Sequence, residues 1–266
     1  MNARKRFGQH FLEPAWVAKL VAKVDPRPTD VFLEIGPGRG ALTRPLAPKV
    51  ARVIAVEIDR DLAAALEAER LAHVEVLTGD FLAVDIAPVL RAVNGPVRVI
   101  GNLPYNVASP ILFRLLALSR EVPALIDATL MVQKEVADRL VARPGTAEYG
   151  VLGISVSLHA DVERMLVLPP GAFRPPPKVT SAVVRLRFRP PTVSLPNPDL
   201  FEGMVRSLFT QRRKNLANAL RPFGDSVGVP AAEALAATGL DPTRRPQTLE
   251  LAELAALAGF FAARRR

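Results

Sequence analysis

The sequence predicts an α/β protein, a mainly parallel sheet with helices on both faces, followed by a smaller all-helical C-terminal domain. Three observations carry this. Over the first two-thirds, short β-type runs alternate with helical stretches, which is the pattern of βαβ units. Those runs are almost continuously apolar rather than alternating, as strands buried on both faces must be. From Asp199 onward the segments have helical length and are broken by proline and glycine.

In order, Val31–Ile35 is the first strand and runs into Gly36-Pro37-Gly38-Arg39-Gly40, with a helix expected over Ala41–Leu46. Val53–Ile58 is the second strand, followed by a helical Asp61–Arg70. Val74–Leu77 ends at Thr78-Gly79-Asp80, and Val97–Ile100 ends at Gly101-Asn102-Leu103-Pro104-Tyr105. Leu125–Val132 leads into a helix over Gln133–Ala142. Leu152–His159 and Ala182–Phe188 read as an antiparallel pair closing the sheet, with Pro-rich Leu168–Lys178 between them. These elements give a first domain over residues 1–190. Residues 189–198 carry four prolines and read as a linker. The helical domain spans 199–266, with helices over Leu200–Phe209, Asn215–Leu220, Pro230–Thr238 and Leu249–Phe260.

The chain has 266 residues, 49% hydrophobic and 23% charged, which excludes wholesale disorder. It holds no cysteine, which excludes disulfides, thiolate zinc sites and cysteine nucleophiles together. No apolar run approaches the ~18 residues of a membrane span, and no apolar segment follows the basic N-terminus as a secretory signal would need. A cytoplasmic location is therefore expected, with no membrane and no metal. Lysine plus arginine number 35 against 26 acids, a net charge of +9. A polyanion partner is plausible, and nucleic acid is the commonest one.

The strand ends deliver polar groups at regular intervals. Glu34, Glu57, Asp80 and Asn102 are 23, 23 and 22 positions apart, so each βα unit brings one to the same edge of the sheet. Ligands bind at that edge in open parallel sheets. Gly36 and Gly38 let a ligand approach the backbone closely. Together with Ala41 they also fit the dinucleotide fingerprint, and Glu57 lies about where that motif places its ribose acid. Glu57 suits the two hydroxyls of a ribose. Asp80 suits an adenine amine, with Phe81 positioned to cover the ring.

The fourth strand end separates the readings. Asn102-Leu103-Pro104-Tyr105 is not a dehydrogenase motif, and none of His10, His73 and His159 lies in an evident hydride-transfer site. It suits methylation of an exocyclic amine. The Asn102 side-chain oxygen and the Leu103 carbonyl can draw the amine hydrogens out of the ring plane, turning the lone pair toward a methyl donor. Pro104 offers no competing N–H and fixes φ. Tyr105 offers a face for a purine. Alignment and electrostatic complementarity supply the catalysis, with no low-pKa base.

At this point the sequence resembles the ribosomal RNA adenine N6,N6-dimethyltransferases, specifically the small-subunit (16S) branch. The resemblance runs through residues 4–12, 34–38, 101–106, 131–136, 175–184 and 211–214, nearly the whole chain. It implies a Rossmann-like class I methyltransferase domain with a seven-stranded sheet and an all-α C-terminal domain. It implies S-adenosylmethionine as donor, S-adenosylhomocysteine as product, and two adjacent adenosines near the 3′ end of 16S rRNA as targets. The partner would be an immature 30S subunit, met by a monomer. Cofactor contacts are implied at Gln9, His10, Leu12, Gly36, Gly38, Glu57, Asp80, Phe81 and Asn102, although the family usually has asparagine where His10 stands. Phe173 would face Tyr105 across a base drawn out of its stack.

The basic segments are candidates for phosphate contact: Arg4, Lys5 and Arg6, then Lys178, then Arg212, Arg213 and Lys214. Arg185, Arg187 and Arg189 share a strand face by period two and read as a surface stripe. The alternatives are a large-subunit rRNA methyltransferase of the macrolide-resistance type, an NAD-dependent dehydrogenase on the same glycine loop, and a non-catalytic ribosome-assembly factor.

Overall fold

The computed structural model describes residues 10–264. The elements run β1 (Phe11–Leu12), α1 (Pro14–Val24), β2 (Val31–Ile35), α2 (Thr43–Leu46), β3 (Arg52–Glu57), α3 (Arg60–Ala68) and β4 (Val74–Thr78). They continue with α4 (Ala87–Arg91), β5 (Val97–Asn102), α5 (Ala108–Glu121), β6 (Leu125–Gln133), α6 (Lys134–Leu140) and α7 (Val151–Ser157). β7 (Ala160–Leu168), β8 (Phe173–Arg174) and β9 (Ser181–Phe188) complete the strands. The last helices are α8 (Pro198–Thr210), α9 (Leu216–Val227), α10 (Ala231–Thr238) and α11 (Leu251–Arg264).

Two compact units form. The first holds residues up to Ala137 together with Ala160–Arg189, and the second holds Asp138–His159 with the chain from Pro190. The first contains a seven-stranded sheet in the order β4-β3-β2-β5-β6-β9-β7. The first five strands of that order are parallel, and β9 and β7 are antiparallel to their neighbours. Every residue of β2 is buried, as its unbroken apolar run requires. Strand order reverses between β2 and β5, and there the carboxyl ends of the strands part to leave a crevice.

α1 opens with Pro14, whose missing N–H is no loss in the first turn. Its far end is held by Arg98 on β5. That guanidinium donates to the Val24 and Asp25 carbonyls at 3.0 and 3.2 Å. It also donates to Asp30 Oδ2 at 3.0 Å and to both oxygens of Asp127, the shortest at 2.8 Å. α3 is capped by Asp59, whose carboxylate accepts from the Asp61 and Leu62 amides. In the second unit, Asn197 and Asn215 cap α8 and α9 in the same way. Its core gathers Phe201, Met204, Leu208, Leu220, Leu257 and Phe261.

Three expectations are corrected. Residues 152–157 are helical, not a strand, and the partner of β9 is β7, which starts at Ala160. A short apolar run does not distinguish the two states by periodicity. Tertiary packing decides here: Ile154 and Leu158 are buried in the core of the second unit. For the same reason residues 138–159 belong with the C-terminal helices rather than with the first domain. Finally, Arg185, Arg187 and Arg189 are not a free cationic stripe. The Arg185 side chain is 13% exposed and donates to the Lys23 carbonyl at 2.8 Å. Arg187 pairs with Glu163 at 3.4 Å and Arg189 with Asp161 at 2.8 Å, both acids standing on β7.

Candidate active site

A cavity opens at the carboxyl ends of β2, β3 and β5 and is roofed by residues 10–12. Among the predicted residues, His10, Leu12, Gly36, Gly38, Glu57, Asn102, Leu103, Pro104 and Tyr105 line it. The parallel register explains their convergence: Ile35 stands opposite both Val56 and Gly101, so Gly36, Glu57 and Asn102 leave the sheet side by side.

The glycine loop binds inward. Gly36 and Gly38 have φ of 67° and 57°, which glycine adopts without cost. The Gly38 amide donates to Glu57 Oε2 at 2.8 Å, and the Asp59 amide donates to Oε1 at 2.9 Å. Glu57 is thus held rigidly at 4% exposure, with lone pairs left on both oxygens. A Cβ on Gly38 would lie 3.2 Å from the Phe11 ring, so that ring rests on the loop. Arg39 lies 4.6 Å above the same ring.

Asn102 is oriented by its neighbour in space. Its Nδ2 donates to the His10 main-chain oxygen at 2.7 Å. A carbonyl can only accept, so the amide's rotation is determined and Oδ1 is left as an acceptor. The Leu103 amide donates to the Met131 oxygen at 3.1 Å, seating the loop on β6. The Tyr105 hydroxyl lies 2.8 Å from Ser181 Oγ on β9, and its ring stacks on His10 with centroids 6.1 Å apart. His10 Nδ1 donates to the Pro175 carbonyl at 2.8 Å.

Several expected residues stand elsewhere. Asp80 is exposed and accepts from the Leu82 amide at 2.9 Å, and it does not line the cavity. Phe81 is 4% exposed, buried in the fold with Arg114 5.9 Å from its centroid. Phe173 is not among the residues that line the cavity. It is 1% exposed and packed with Leu168, Ala172 and Val183, pairing across β1–β8 with Leu12. It anchors the roof strand instead of presenting a ring face. Arg4, Lys5, Arg6 and Gln9 lie outside the described residues. Lys178, Arg213 and Lys214 are exposed, whereas Arg212 donates to the Ala147 carbonyl at 2.7 Å within the second unit.

The cavity also recruits Phe11, Ile58 and Met131, which strand-end spacing did not single out, and Glu34, which the spacing brought to this edge without a ligand role. Ile58 is 47% exposed directly after Glu57. An exposed apolar residue following a strand-end acid was the available signal for a surface that covers a flat ring. Glu34 is 1% exposed and accepts from Thr43 Oγ1 at 2.7 Å. Burial, reinforced by the Glu57 charge, pushes its carboxyl up to about 7.

Among the described residues no lysine or arginine lines the cavity, while two carboxyls do. That electrostatic balance disfavours a pyrophosphate and suits a ligand with positive charge. The stacked glycine loop, the ribose-type acid and the acceptor-rich rim fit a sulfonium nucleoside. Among the described residues there is no cluster of three or more potential metal ligands, and no helix is long and apolar enough to cross a membrane.

Comparison with known proteins agrees. The family model described as ribosomal RNA adenine dimethylase matches residues 1–256. The "Ribosomal RNA small subunit methyltransferase A" of Acinetobacter baylyi is 44% identical over 262 residues, covering 97% of this chain and 92% of that protein. The protein of the same name from Geobacter metallireducens is also 44% identical, covering 97% and 95%. Among solved structures, a dimethyladenosine transferase from Plasmodium falciparum superposes with a TM-score of 0.80 at 24% identity, covering 96% of this chain and 98% of its own. The 23S rRNA methyltransferase ErmE superposes with a TM-score of 0.67 at 27% identity, covering 95% and 99%. With a family model spanning nearly its whole length, and with relatives this similar along theirs, the chain belongs to the ribosomal RNA adenine dimethylase family.

Proposed function

We propose that the chain dimethylates N6 of two adjacent adenosines near the 3′ end of 16S rRNA, acting as a cytoplasmic monomer on immature small subunits. S-adenosylmethionine, bound in the cavity, supplies an electrophilic methyl carbon on a sulfonium. The chain's own residues do the rest. Gly36 and Gly38 admit the donor, Glu57 accepts from its ribose hydroxyls, and Ile58 covers its adenine, the part first assigned to Phe81. Asp80, one strand further out, reaches that adenine's amine only if its loop turns inward.

The observation that carries the proposal is the Asn102–His10 hydrogen bond. With Nδ2 committed to a carbonyl, Oδ1 is the side-chain atom left to accept from a target amine. Together with the Leu103 carbonyl it can hold both amine hydrogens, leaving the nitrogen lone pair directed at the methyl carbon. The proton leaves readily once the nitrogen carries positive charge, so no buried base is needed. Tyr105 supplies a stacking face for the base. Lys178, Arg213, Lys214 and the segment Arg4-Lys5-Arg6 supply phosphate contacts.

Asn102→Ala tests the proposal. Methyl transfer to immature small subunits should fall by at least ~100-fold, as when a preorganised polar group is removed, while RNA binding stays near wild type. Full activity in the variant overturns the assignment. The large-subunit alternative has weaker support, since ErmE is 27% identical and the small-subunit relatives 44%. Mapping methylated adenosines in a deletion strain separates the two branches. Binding of S-adenosylmethionine but not NAD separates both from a dehydrogenase.

A further inference from the structure

Glu34 is a buried carboxyl with a wall in the cavity and a hydroxyl donor in Thr43, and among the described residues no cation pairs with it. The nearest charge of consequence is Glu57, from the neighbouring strand, and it is of like sign. The cations on the adjoining elements are directed to other partners. Arg39 lies over Phe11, Arg44 pairs with Glu69 at 2.6 Å, and Lys19 lies over Trp16. Lys23 is exposed at the far end of α1, and Glu13 pairs with Arg174. Of the remaining cavity-lining groups that can titrate, His10 is bonded to Pro175 and Tyr105 to Ser181. A buried acid in such surroundings keeps its proton easily, and a positive charge brought into the cavity is what would displace it.

We propose that Glu34 reads the charge on the ligand's sulfur: it releases its proton when the sulfonium donor binds and recovers one from solvent when the neutral thioether product remains. The inference rests on the proposed use of S-adenosylmethionine. In the reaction the sulfur keeps the electron pair of the broken S–C bond and becomes neutral. The new C–N bond uses the amine lone pair, and the amine proton passes to solvent. Donor and product differ by a methyl group and one positive charge, so an ionised Glu34 favours the donor. A protonated one does not distinguish them by charge. The cavity would therefore hold the donor more tightly than the product at high pH and lose that preference as pH falls through neutrality.

The test is calorimetric titration of the full chain with S-adenosylmethionine and, separately, S-adenosylhomocysteine, in buffers of different ionisation enthalpy. Near neutral pH, donor binding should release up to about one proton more than product binding. The ratio of donor to product affinity should rise roughly tenfold between about pH 6 and pH 8, the size of a coupling worth ~1.4 kcal/mol. Glu34→Gln keeps the volume and the bond from Thr43, and in it the difference in proton release and the pH dependence of the ratio should both vanish. Thr43→Val removes the one hydrogen bond that favours the ionised form, so it should move the midpoint of proton release to higher pH. The inference is overturned if Glu34→Gln releases protons as wild type does, or if the wild-type ratio is flat across this range. If the folded chain binds neither ligand, the cofactor reading itself fails, and this inference with it.

Discussion

Replacing Arg98 with methionine is the sharpest test of how the sheet is held. The side chain is 8% exposed and faces two carboxylates, Asp30 and Asp127, that are themselves 2% and 7% exposed. Methionine keeps the apolar stem but leaves Asp30 buried without its cation and Asp127 with only Arg185, 4.0 Å away, and Val24 and Asp25 at the end of α1 lose a donor. Breaking one buried pair costs about 3–5 kcal/mol. With two acids affected, the expected loss is ~5 kcal/mol, a large part of the ~5–15 kcal/mol that holds a domain together. At ~2–4 °C per kcal/mol for a domain of this size, the melting temperature should drop by roughly 10–20 °C. Scanning calorimetry and urea titration of Arg98→Met measure it. Combining that change with Asp30→Asn and Asp127→Asn should recover part of the loss, because amides are far cheaper to bury than carboxylates. A single variant within ~1 kcal/mol of wild type, or a triple variant no better than the single, would refute the account.

Two further outcomes follow from the site. Phe173→Ala should cost ~3–5 kcal/mol of stability as a vacated core site, whereas Phe173→Leu should keep near-wild-type turnover on immature subunits. A hundredfold loss of methylation in the leucine variant at unchanged stability would return Phe173 to the stacking role. Glu34→Gln should also change the pH dependence of folding. The wild-type carboxyl holds its proton up to about 7 when folded but only to 4.5 when unfolded, so its contribution to stability declines as pH rises through that window and is constant above it. The decline totals ~3 kcal/mol. The variant's advantage over wild type in urea titrations should grow by that amount from pH 4.5 to 7, and parallel curves would sink the assignment.

The parallel half of the fold was legible because buried strands advertise themselves: Val31–Ile35 and Val53–Ile58 have no other reading than apolar runs ending at a loop. The rim was legible for a related reason, since the even spacing of Glu34, Glu57 and Asn102 reflects equal βα units. Asp80 kept that spacing yet stands outside the cavity, because sequence interval determines which edge a residue reaches and not where its loop then turns. Residues 152–157 misled because isoleucine and valine in so short a run satisfy either period, and only the second unit's core decides between them. The ion pairs of Arg187 and Arg189 were hidden because their acids lie on β7, more than twenty residues away. The burial of Phe173 was hidden for a similar reason. An aromatic in a proline-rich loop looks presentable until β1, remote in sequence, closes over it.

The grip on Asn102 uses the main-chain oxygen of residue 10, not its imidazole. Every amino acid carries that oxygen, so the Asn102 amide can be aimed identically whatever side chain stands at residue 10. What such a contact senses is the path of the polypeptide. Exchanging the tenth side chain should leave the amide's aim intact, whereas lengthening or shortening the chain between residue 10 and Pro14 would carry the acceptor away and let the amide swing.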